Sequence, residues 1–130
     1  MIKVYFDTCI VIYLIEEAVG FVEPISAAIA KTPQMQVCIS PLVQMECMVG
    51  VWKRQDSTLQ KSYEQFFAHC QMLNIEQTTY EQAGKLRVKY GLKTPDALHL
   101  ATALENGCNQ FWTNDNRLDK ASNEILSIVF

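Results

Sequence analysis

Short apolar runs alternate with longer amphipathic segments along the 130 residues of the chain. The short runs are rich in β-branched and aromatic residues, which favours strands. Strands are predicted at 2–6, 36–39, 72–75, 111–113 and 125–130. The segments between them have helical spacing of their apolar residues. Helices are predicted at 8–17 and 21–31, from 41 onward, from 57 through 67, and at 79–90 and 94–106.

Several helix ends carry recognisable signals. Ser40-Pro41 combines a hydroxyl N-cap with proline at the first helical position, and Thr94-Pro95 repeats that start. Gly91 follows the last predicted turn of its helix, where glycine is favoured. Gly50 is expected to bend the helix that begins at Pro41.

The alternation of strands and helices predicts an α/β fold. Parallel strands need crossover connections, and helices supply them on both faces of the sheet. We therefore expect a three-layer α/β/α sandwich with a four- to five-stranded parallel sheet. At 130 residues, the chain is expected to form one domain, 1–130.

Four acidic residues stand beside segments that should be buried: Asp7, Glu46, Asp96 and Asp115. An isolated buried carboxylate is costly unless a cation or hydrogen-bond donors compensate it. Ligands of open parallel sheets bind beyond the carboxyl ends of the strands, where strand order reverses. Asp7 and Asp115 follow predicted strands, Asp96 is expected as the second residue of its helix, and Glu46 lies about one and a half turns into its own. We expect all four to converge at one edge.

Such a group of carboxylates favours a divalent cation. Two carboxylates about 6 Å apart repel by roughly 3 kcal/mol at an effective dielectric near 20. Mg²⁺ or Mn²⁺ removes that penalty and can activate water for attack on phosphorus. Three of the four acids also have a local explanation: Asp7 as a helix cap, Asp96 as a complement to the helix dipole, and Asp115 as a turn residue.

Composition narrows the class of protein. The chain is 49% hydrophobic and 19% charged, as in compact globular proteins, and its net charge is −3. Any nucleic-acid binding must therefore depend on local basic residues or a metal. The five cysteines form no CxxC pair, which favours reduced thiols and a cytoplasmic location over a zinc cluster. The apolar stretch 9–15 is too short to span a bilayer, so no membrane role is expected.

Four segments together resemble the PIN-domain family, and more narrowly the VapC-type toxins of bacterial toxin–antitoxin pairs. They are Val4-Tyr5-Phe6-Asp7-Thr8, Ser40-Pro41 leading to Glu46, Thr94-Pro95-Asp96-Ala97-Leu98-His99-Leu100-Ala101-Thr102-Ala103, and Thr113-Asn114-Asp115. The resemblance covers nearly the whole chain. It implies a Mg²⁺- or Mn²⁺-dependent endoribonuclease that cleaves RNA, a cognate antitoxin and a homodimer.

The resemblance also implies residue roles. Asp7, Glu46, Asp96 and Asp115 would be the catalytic, metal-binding acids, and Thr113 would support them through its hydroxyl. Asp119 is a further supporting candidate, for which a solvated side chain is the competing interpretation. Many VapC-like proteins have asparagine two residues after the first aspartate, whereas this chain has Cys9. A thiol cannot make the same amide hydrogen bonds.

Basic residues near the acids are candidates for contacts with the RNA backbone. The substrate-binding candidates are Arg87, Lys93 and Arg117. Basic side chains can bind the phosphates of RNA without recognising its base sequence. His99 follows Asp96 by three residues, on the same side of a helix. The sequence allows His99 to share a metal with Asp96, although a buried, hydrogen-bonded imidazole in a packed helix is the preferred interpretation.

Three other classes of protein share parts of this pattern. A phospho-receiver module also gathers acids around Mg²⁺, but it needs an aspartate after the third strand and a lysine after the last one. Here Glu76-Gln77-Thr78 follows the third predicted strand, and the fifth ends at Phe130. A catalytically silent PIN-like module that binds RNA or a partner stays open, as does a DNA-directed nuclease of the same fold.

Overall fold

The computed structural model describes residues 1–121 and 123–130, and within these ranges the chain forms five strands, six α-helices and one 3-10 helix. The strands are β1 (Ile2–Phe6), β2 (Met35–Ile39), β3 (Gln71–Met72), β4 (Gln110–Thr113) and β5 (Leu126–Val129). The helices are α1 (Thr8–Ile15), α2 (Val22–Ala30), α3 (Pro41–Arg54), α4 (Ser57–Ala68), α5 (Gln77–Tyr90) and α6 (Thr94–Glu105), and the 3-10 helix is Asn116–Ala121.

The five strands form one parallel sheet in the order β3-β2-β1-β4-β5. The chain builds outward from β1 through β2 to β3, then returns to the other side of β1 as β4. Strand order therefore reverses between β1 and β4. Helices α1 to α4 pack with one another, and α5 packs on α6. The predicted three-layer α/β/α fold with a parallel sheet is confirmed.

The centre of the sheet is completely buried. Tyr5 and Phe6 of β1 and Phe111 of β4 have no exposed surface, and Trp112 is 2% exposed. Tyr5 stacks on Phe111 at 5.3 Å between ring centroids, and Phe6 stacks on Trp112 at 5.1 Å. Such aromatic pairs on adjacent strands hold β1 and β4 in fixed register, so the residues that follow these strands are held together as well.

Local signals set several helix ends as expected. Ser40 caps α3 by accepting a hydrogen bond from Val43 N, with Pro41 as the first helical residue. Asp56 caps α4 in the same way. Gly91 ends α5 at φ +69°, a left-handed conformation that glycine adopts without steric cost.

Several predicted element limits differ from the structure, and the bend predicted at Gly50 is absent. Helix α1 ends at Ile15, because Glu17 has a positive φ of 52°. Helix α3 continues through Gly50 without interruption. Strand β3 covers 71–72 instead of 72–75. Helix α6 begins at Thr94 with Lys93 as its N-cap, so Asp96 is its third residue.

No helix within the described ranges is long and apolar enough to cross a bilayer.

Candidate active site

The candidate site lies where β1 and β4 end. Asp7 directly follows β1, and Asp115 comes two residues after β4. The strands are hydrogen-bonded neighbours, and Asp7 N continues the pairing by donating to Trp112 O at 2.9 Å. This point is also where strand order reverses, the usual ligand crevice of an open parallel sheet.

Asp7 is the most buried of the four acids. Its Oδ1 accepts a hydrogen bond from Thr8 N at 2.8 Å, which caps α1. Its Oδ2 accepts from the hydroxyl of Thr113 at 2.8 Å. Asp7 is 8% exposed and Thr113 is fully buried. The helix-cap explanation and the site explanation for Asp7 are therefore compatible, because one oxygen caps α1 and the other faces Thr113.

Glu46 projects from the second turn of α3 toward the same place. Its Oε1 accepts from Thr8 Oγ1 at 2.6 Å and from His99 Nε2 at 2.7 Å. Burial raises the pKa of Glu46, but the interactions with His99 and Thr8 together outweigh burial and leave the pKa below its usual value. Both hydrogen bonds are accepted by Oε1. Glu46 is therefore held as a carboxylate, and its other oxygen, Oε2, takes part in neither of these two bonds.

His99 joins Glu46 to the core of the protein. It is 2% exposed on α6, and its Nε2 also lies 3.6 Å from Asp7 Oδ1. Its Nδ1 lies 2.7 Å from the hydroxyl of Tyr5, which lies 2.8 Å from Ser40 Oγ. The preferred interpretation of His99 as a buried, hydrogen-bonded imidazole agrees with this geometry.

Asp96 is half-buried in the first turn of α6. Burial and the negative charges of Asp7 and Asp115 raise its pKa, while Arg117 and His99 oppose the increase. Asp96 therefore lies close enough to two other acids to feel their charge. It also lines a small cavity of about 70 Å³, together with Lys93, Arg117, Lys120 and residues 90–92.

Asp115 is paired with Arg117. The guanidinium contacts both carboxylate oxygens, at 2.7 to 3.1 Å. The hydrogen bonds from Arg117 hold the pKa of Asp115 below its usual value. The Arg117 side chain is 55% exposed, so water competes for this ion pair and the arginine is free to exchange partners.

The other predicted supporting and substrate-binding residues differ in position. Lys93 lies beside Asp96 at the start of α6. Arg87 is turned instead to the loop that follows α5, where its Nε donates to Leu92 O at 3.0 Å. Asp119 is exposed on the 3-10 helix. Its supporting role stays a prediction.

Cys9 occupies the position where the resemblance leads one to expect asparagine. Its side chain is partly buried near Asn114 and Thr113. Burial, with the charge of Asp7, raises the pKa of the Cys9 thiol to about 12. Cys9 therefore stays an uncharged thiol and adds no further anion to the site.

The carboxylates approach one another without forming a preassembled metal cage. Across residues 1–121 and 123–130, no three Asp, Glu, His or Cys side chains are arranged to hold a metal ion. The donor set nevertheless fits a hard cation, because all four acids offer oxygen and Asp96 is disfavoured as an anion by its neighbours. Mg²⁺ usually keeps several waters and uses only one or two carboxylates.

Comparison with known proteins agrees with this fold. The PIN domain family model matches residues 4–124. The protein belongs to the PIN domain family. A sequence search of curated proteins found no match.

Solved structures of toxin–antitoxin proteins are similar over almost the whole chain. A chain of Rickettsia felis VapBC2, solved with a promoter DNA fragment, has a TM-score of 0.78 at 18% identity, with 99% of each chain covered. Mycobacterium tuberculosis VapC20, described as a sarcin–ricin loop cleaving toxin, has a TM-score of 0.75 at 15% identity, with 98% of this chain and 99% of the other covered. A Klebsiella pneumoniae toxin–antitoxin complex reaches 29% identity and a TM-score of 0.72, with 88% and 89% covered.

The sequence did not reveal the residues that hold Glu46 in place. Thr8, Ser40 and Tyr5 were read as parts of motifs or of the core, without a role at the site. One signal was available, since a tyrosine in a completely buried strand needs a hydrogen-bond partner. Which partner it finds depends on tertiary structure.

Proposed function

We propose that residues 1–130 act as one Mg²⁺- or Mn²⁺-dependent endoribonuclease domain, the toxin of a toxin–antitoxin pair in the cytoplasm. The observation that carries the proposal is the gathering of Asp7, Glu46 and Asp96 beside Asp115 at the reversal point of a PIN-type sheet. The family match and the toxin–antitoxin neighbours support the same activity.

Asp7, Glu46, Asp96 and Asp115 would hold the divalent ion or ions. When bound, such an ion lowers the pKa of its water and stabilises charge on the phosphoryl oxygens. Thr113 and His99 keep Asp7 and Glu46 in place through hydrogen bonds of 2.8 and 2.7 Å.

The basic residues on the Asp96 side suit the RNA backbone. Lys93, Arg117 and Lys120 surround the cavity that Asp96 lines. We propose that Arg117 leaves Asp115 when a cation neutralises that carboxylate, and then contacts a substrate phosphate. Arginine suits this exchange because its planar group binds carboxylate and phosphate in the same bidentate way. Arg87 is the weaker candidate for RNA binding, because its side chain already donates a hydrogen bond to Leu92 O.

An apolar stripe on α3 suits the antitoxin. Met45, Val49 and Trp52 are spaced to share one helix face and are 49%, 39% and 57% exposed. The stripe runs beside Glu46, so a partner helix on it would cover the site. Trp52→Glu should prevent complex formation with the proposed antitoxin on co-expression, whereas Val19→Glu, at an exposed apolar residue elsewhere, should not. Equal complex formation by both variants contradicts this surface.

A second apolar face, on α5, suits a homodimer. Tyr80, Gly84 and Val88 recur every fourth residue, with Tyr80 58% and Val88 90% exposed. Glu81 and Lys85 flank this face. In an antiparallel crossing of two copies, each glutamate would approach a lysine of the partner copy.

The activity is tested with purified protein and labelled transfer, ribosomal and messenger RNAs, with Mg²⁺, with Mn²⁺ and with EDTA. Metal-dependent cleavage that Asp7→Ala and Asp96→Ala abolish is expected. Cleavage that survives chelation contradicts the mechanism. Single-stranded DNA of matched sequence distinguishes the DNA-directed alternative, and RNA binding without cleavage in any metal supports the silent module instead.

A further inference from the structure

Four hydrogen bonds connect the backbone of α3 to the carboxylate of Glu46 through the interior of the protein. They join Val43 N to Ser40 Oγ at 3.3 Å, Ser40 Oγ to the Tyr5 hydroxyl at 2.8 Å, that hydroxyl to His99 Nδ1 at 2.7 Å, and His99 Nε2 to Glu46 Oε1 at 2.7 Å. Ser40 and Tyr5 have no exposed surface. The series begins and ends on the same helix.

The chemistry of the end groups sets the direction of the two outer bonds, and the two inner bonds follow for a neutral imidazole. The Glu46 carboxylate only accepts, so Nε2 of His99 carries the proton. In a neutral imidazole, Nδ1 then accepts, so the Tyr5 hydroxyl donates to it. Tyr5 in turn accepts from Ser40, whose oxygen accepts from Val43 N. The described residues contain no buried side-chain polar atom without a partner, as this arrangement requires.

We infer that His99 is a positioning residue that selects one rotamer and one oxygen of Glu46 for the metal site. His99 and Thr8 both donate to Oε1, which directs Oε2 to the site as the ligand oxygen. His99 itself is not a ligand, because its two nitrogens are already used by Tyr5 and Glu46. The inference rests on the proposed function, since it assigns a purpose to the geometry of a proposed metal ligand.

Fixing a long carboxylate side chain in this way has a clear physical benefit. Glutamate has three rotatable side-chain bonds, and ordering it on metal binding costs conformational entropy. A ligand already held by buried donors has lost that freedom on folding. Removal of a hydrogen-bond partner from a metal-ligating side chain typically weakens metal affinity by about 10- to 100-fold.

Two substitutions separate the two sides of the imidazole. The amide nitrogen of glutamine lies three bonds from Cβ, as Nε2 does, so His99→Gln keeps a donor for Glu46. The amide group of asparagine lies two bonds from Cβ, as Nδ1 does, so His99→Asn keeps the contact with Tyr5 and loses the donor for Glu46. His69→Gln is the matched control, because His69 is exposed on the far end of α4.

The test is a Mn²⁺ titration of each full-length variant by electron paramagnetic resonance, with thermal unfolding to check that each is folded. His99→Asn should weaken Mn²⁺ binding about 10- to 100-fold, His99→Gln less than about threefold, and His69→Gln not at all. Equal losses in both His99 variants, or none in His99→Asn, overturn the positioning role. Nitrogen coupling from His99 to bound Mn²⁺ overturns it too, because His99 would then be a ligand. If the unsubstituted protein binds no Mn²⁺, the proposed function itself fails.

A metal-free measurement tests the network separately. Nitrogen-15 NMR of the imidazoles should show His99 protonated at Nε2, and Glu46→Gln should shift that resonance while leaving His69 unchanged. Protonation at Nδ1 alone contradicts the hydrogen-bond directions given above.

Discussion

The hydroxyl of Thr113 donates to Asp7 Oδ2 at 2.8 Å, although 106 residues separate them in the chain. The bond joins the residue after β1 to the last residue of β4, across the point where strand order reverses. Asp115 N also donates to Thr113 Oγ1, at 3.1 Å. One buried hydroxyl therefore ties together two of the four proposed ligands.

Thr113→Val keeps the shape of this side chain and removes its hydroxyl. Asp7 Oδ2 then loses its buried donor, which should cost about 1–3 kcal/mol in the free energy of unfolding. Metal-dependent kcat/KM should fall about 10- to 100-fold. Denaturant unfolding and RNA cleavage measure the two effects. Thr113→Ser is the control and should retain both properties, so a loss of similar size in Thr113→Ser contradicts the role of the hydroxyl.

Asp96→Asn should stabilise the metal-free protein at neutral pH. Burial and neighbouring anions raise the pKa of Asp96 in the fold, so the carboxylate form is disfavoured there. Stability is lost as pH rises from the unfolded pKa, 3.8, through the raised folded value. The variant avoids that loss. Its gain in the free energy of unfolding should be less than about 1 kcal/mol, because the side chain is half exposed to water.

The advantage of Asp96→Asn should shrink as pH falls toward 4 and should reverse in saturating Mn²⁺. A ligand at 100 times its Kd adds about 2.7 kcal/mol to the protein that binds it. Unfolding curves with EDTA and with Mn²⁺ across pH measure this. A variant that is less stable than the native protein with EDTA at pH 7 contradicts the electrostatic account of Asp96.

Arg117→Gln should impair RNA cleavage with little effect on stability. The ion pair with Asp115 is exposed, so water competes for it and it contributes little to stability. If Arg117 moves to a substrate phosphate, its loss should weaken RNA binding and lower the salt slope of binding by about one. Lys93→Gln should act similarly, and Lys61→Gln, at an exposed lysine of α4, should not. Unchanged cleavage and salt dependence would remove Arg117 and Lys93 from the substrate site.

Val88→Glu should dissociate the proposed homodimer. Val88 is 90% exposed on α5, and a carboxylate buried there against its own copy would be strongly destabilising. Light scattering after size exclusion should give one chain mass for Val88→Glu and twice that mass for the native protein. Val19→Glu, at a residue that is 95% exposed, is the control and should stay dimeric. A native protein that is monomeric at high concentration refutes the dimer.

The helices and strands could be predicted from the sequence wherever the local capping signals and the burial pattern indicate the same element. Ser40-Pro41 and Gly91 marked the ends of α3 and α5 correctly, because capping is a local property. Strand β3 was misplaced because its length depends on its neighbour: β2 ends at Ile39, where Ser40 begins to cap α3, so pairing stops at Met72. Gly50 did not bend α3, since Met48 and Val51 are buried and their packing outweighs a glycine cost of about 1 kcal/mol.

The sequence pointed to the acids of the candidate site and to Thr113, and not to the residues that hold Glu46. Four carboxylates beside apolar segments are visible in a sequence, and the reversal of strand order explains why they meet. The partners of Glu46 come from α1 and α6, and His99 is fixed by Tyr5 of β1. Such pairings depend on how the layers pack, which local patterns do not encode. The Asp115–Arg117 pair spans only two residues, yet its geometry depends on the turn into the 3-10 helix.

The central claim is that Asp7, Glu46, Asp96 and Asp115 share a divalent cation. Anomalous diffraction from a crystal soaked in Mn²⁺ tests it most directly. The account predicts a Mn²⁺ peak within coordination distance of Asp7 and Asp96, with Arg117 displaced from Asp115. A peak bound elsewhere, or no peak at these residues with the Arg117 pair intact at saturating Mn²⁺, would contradict it.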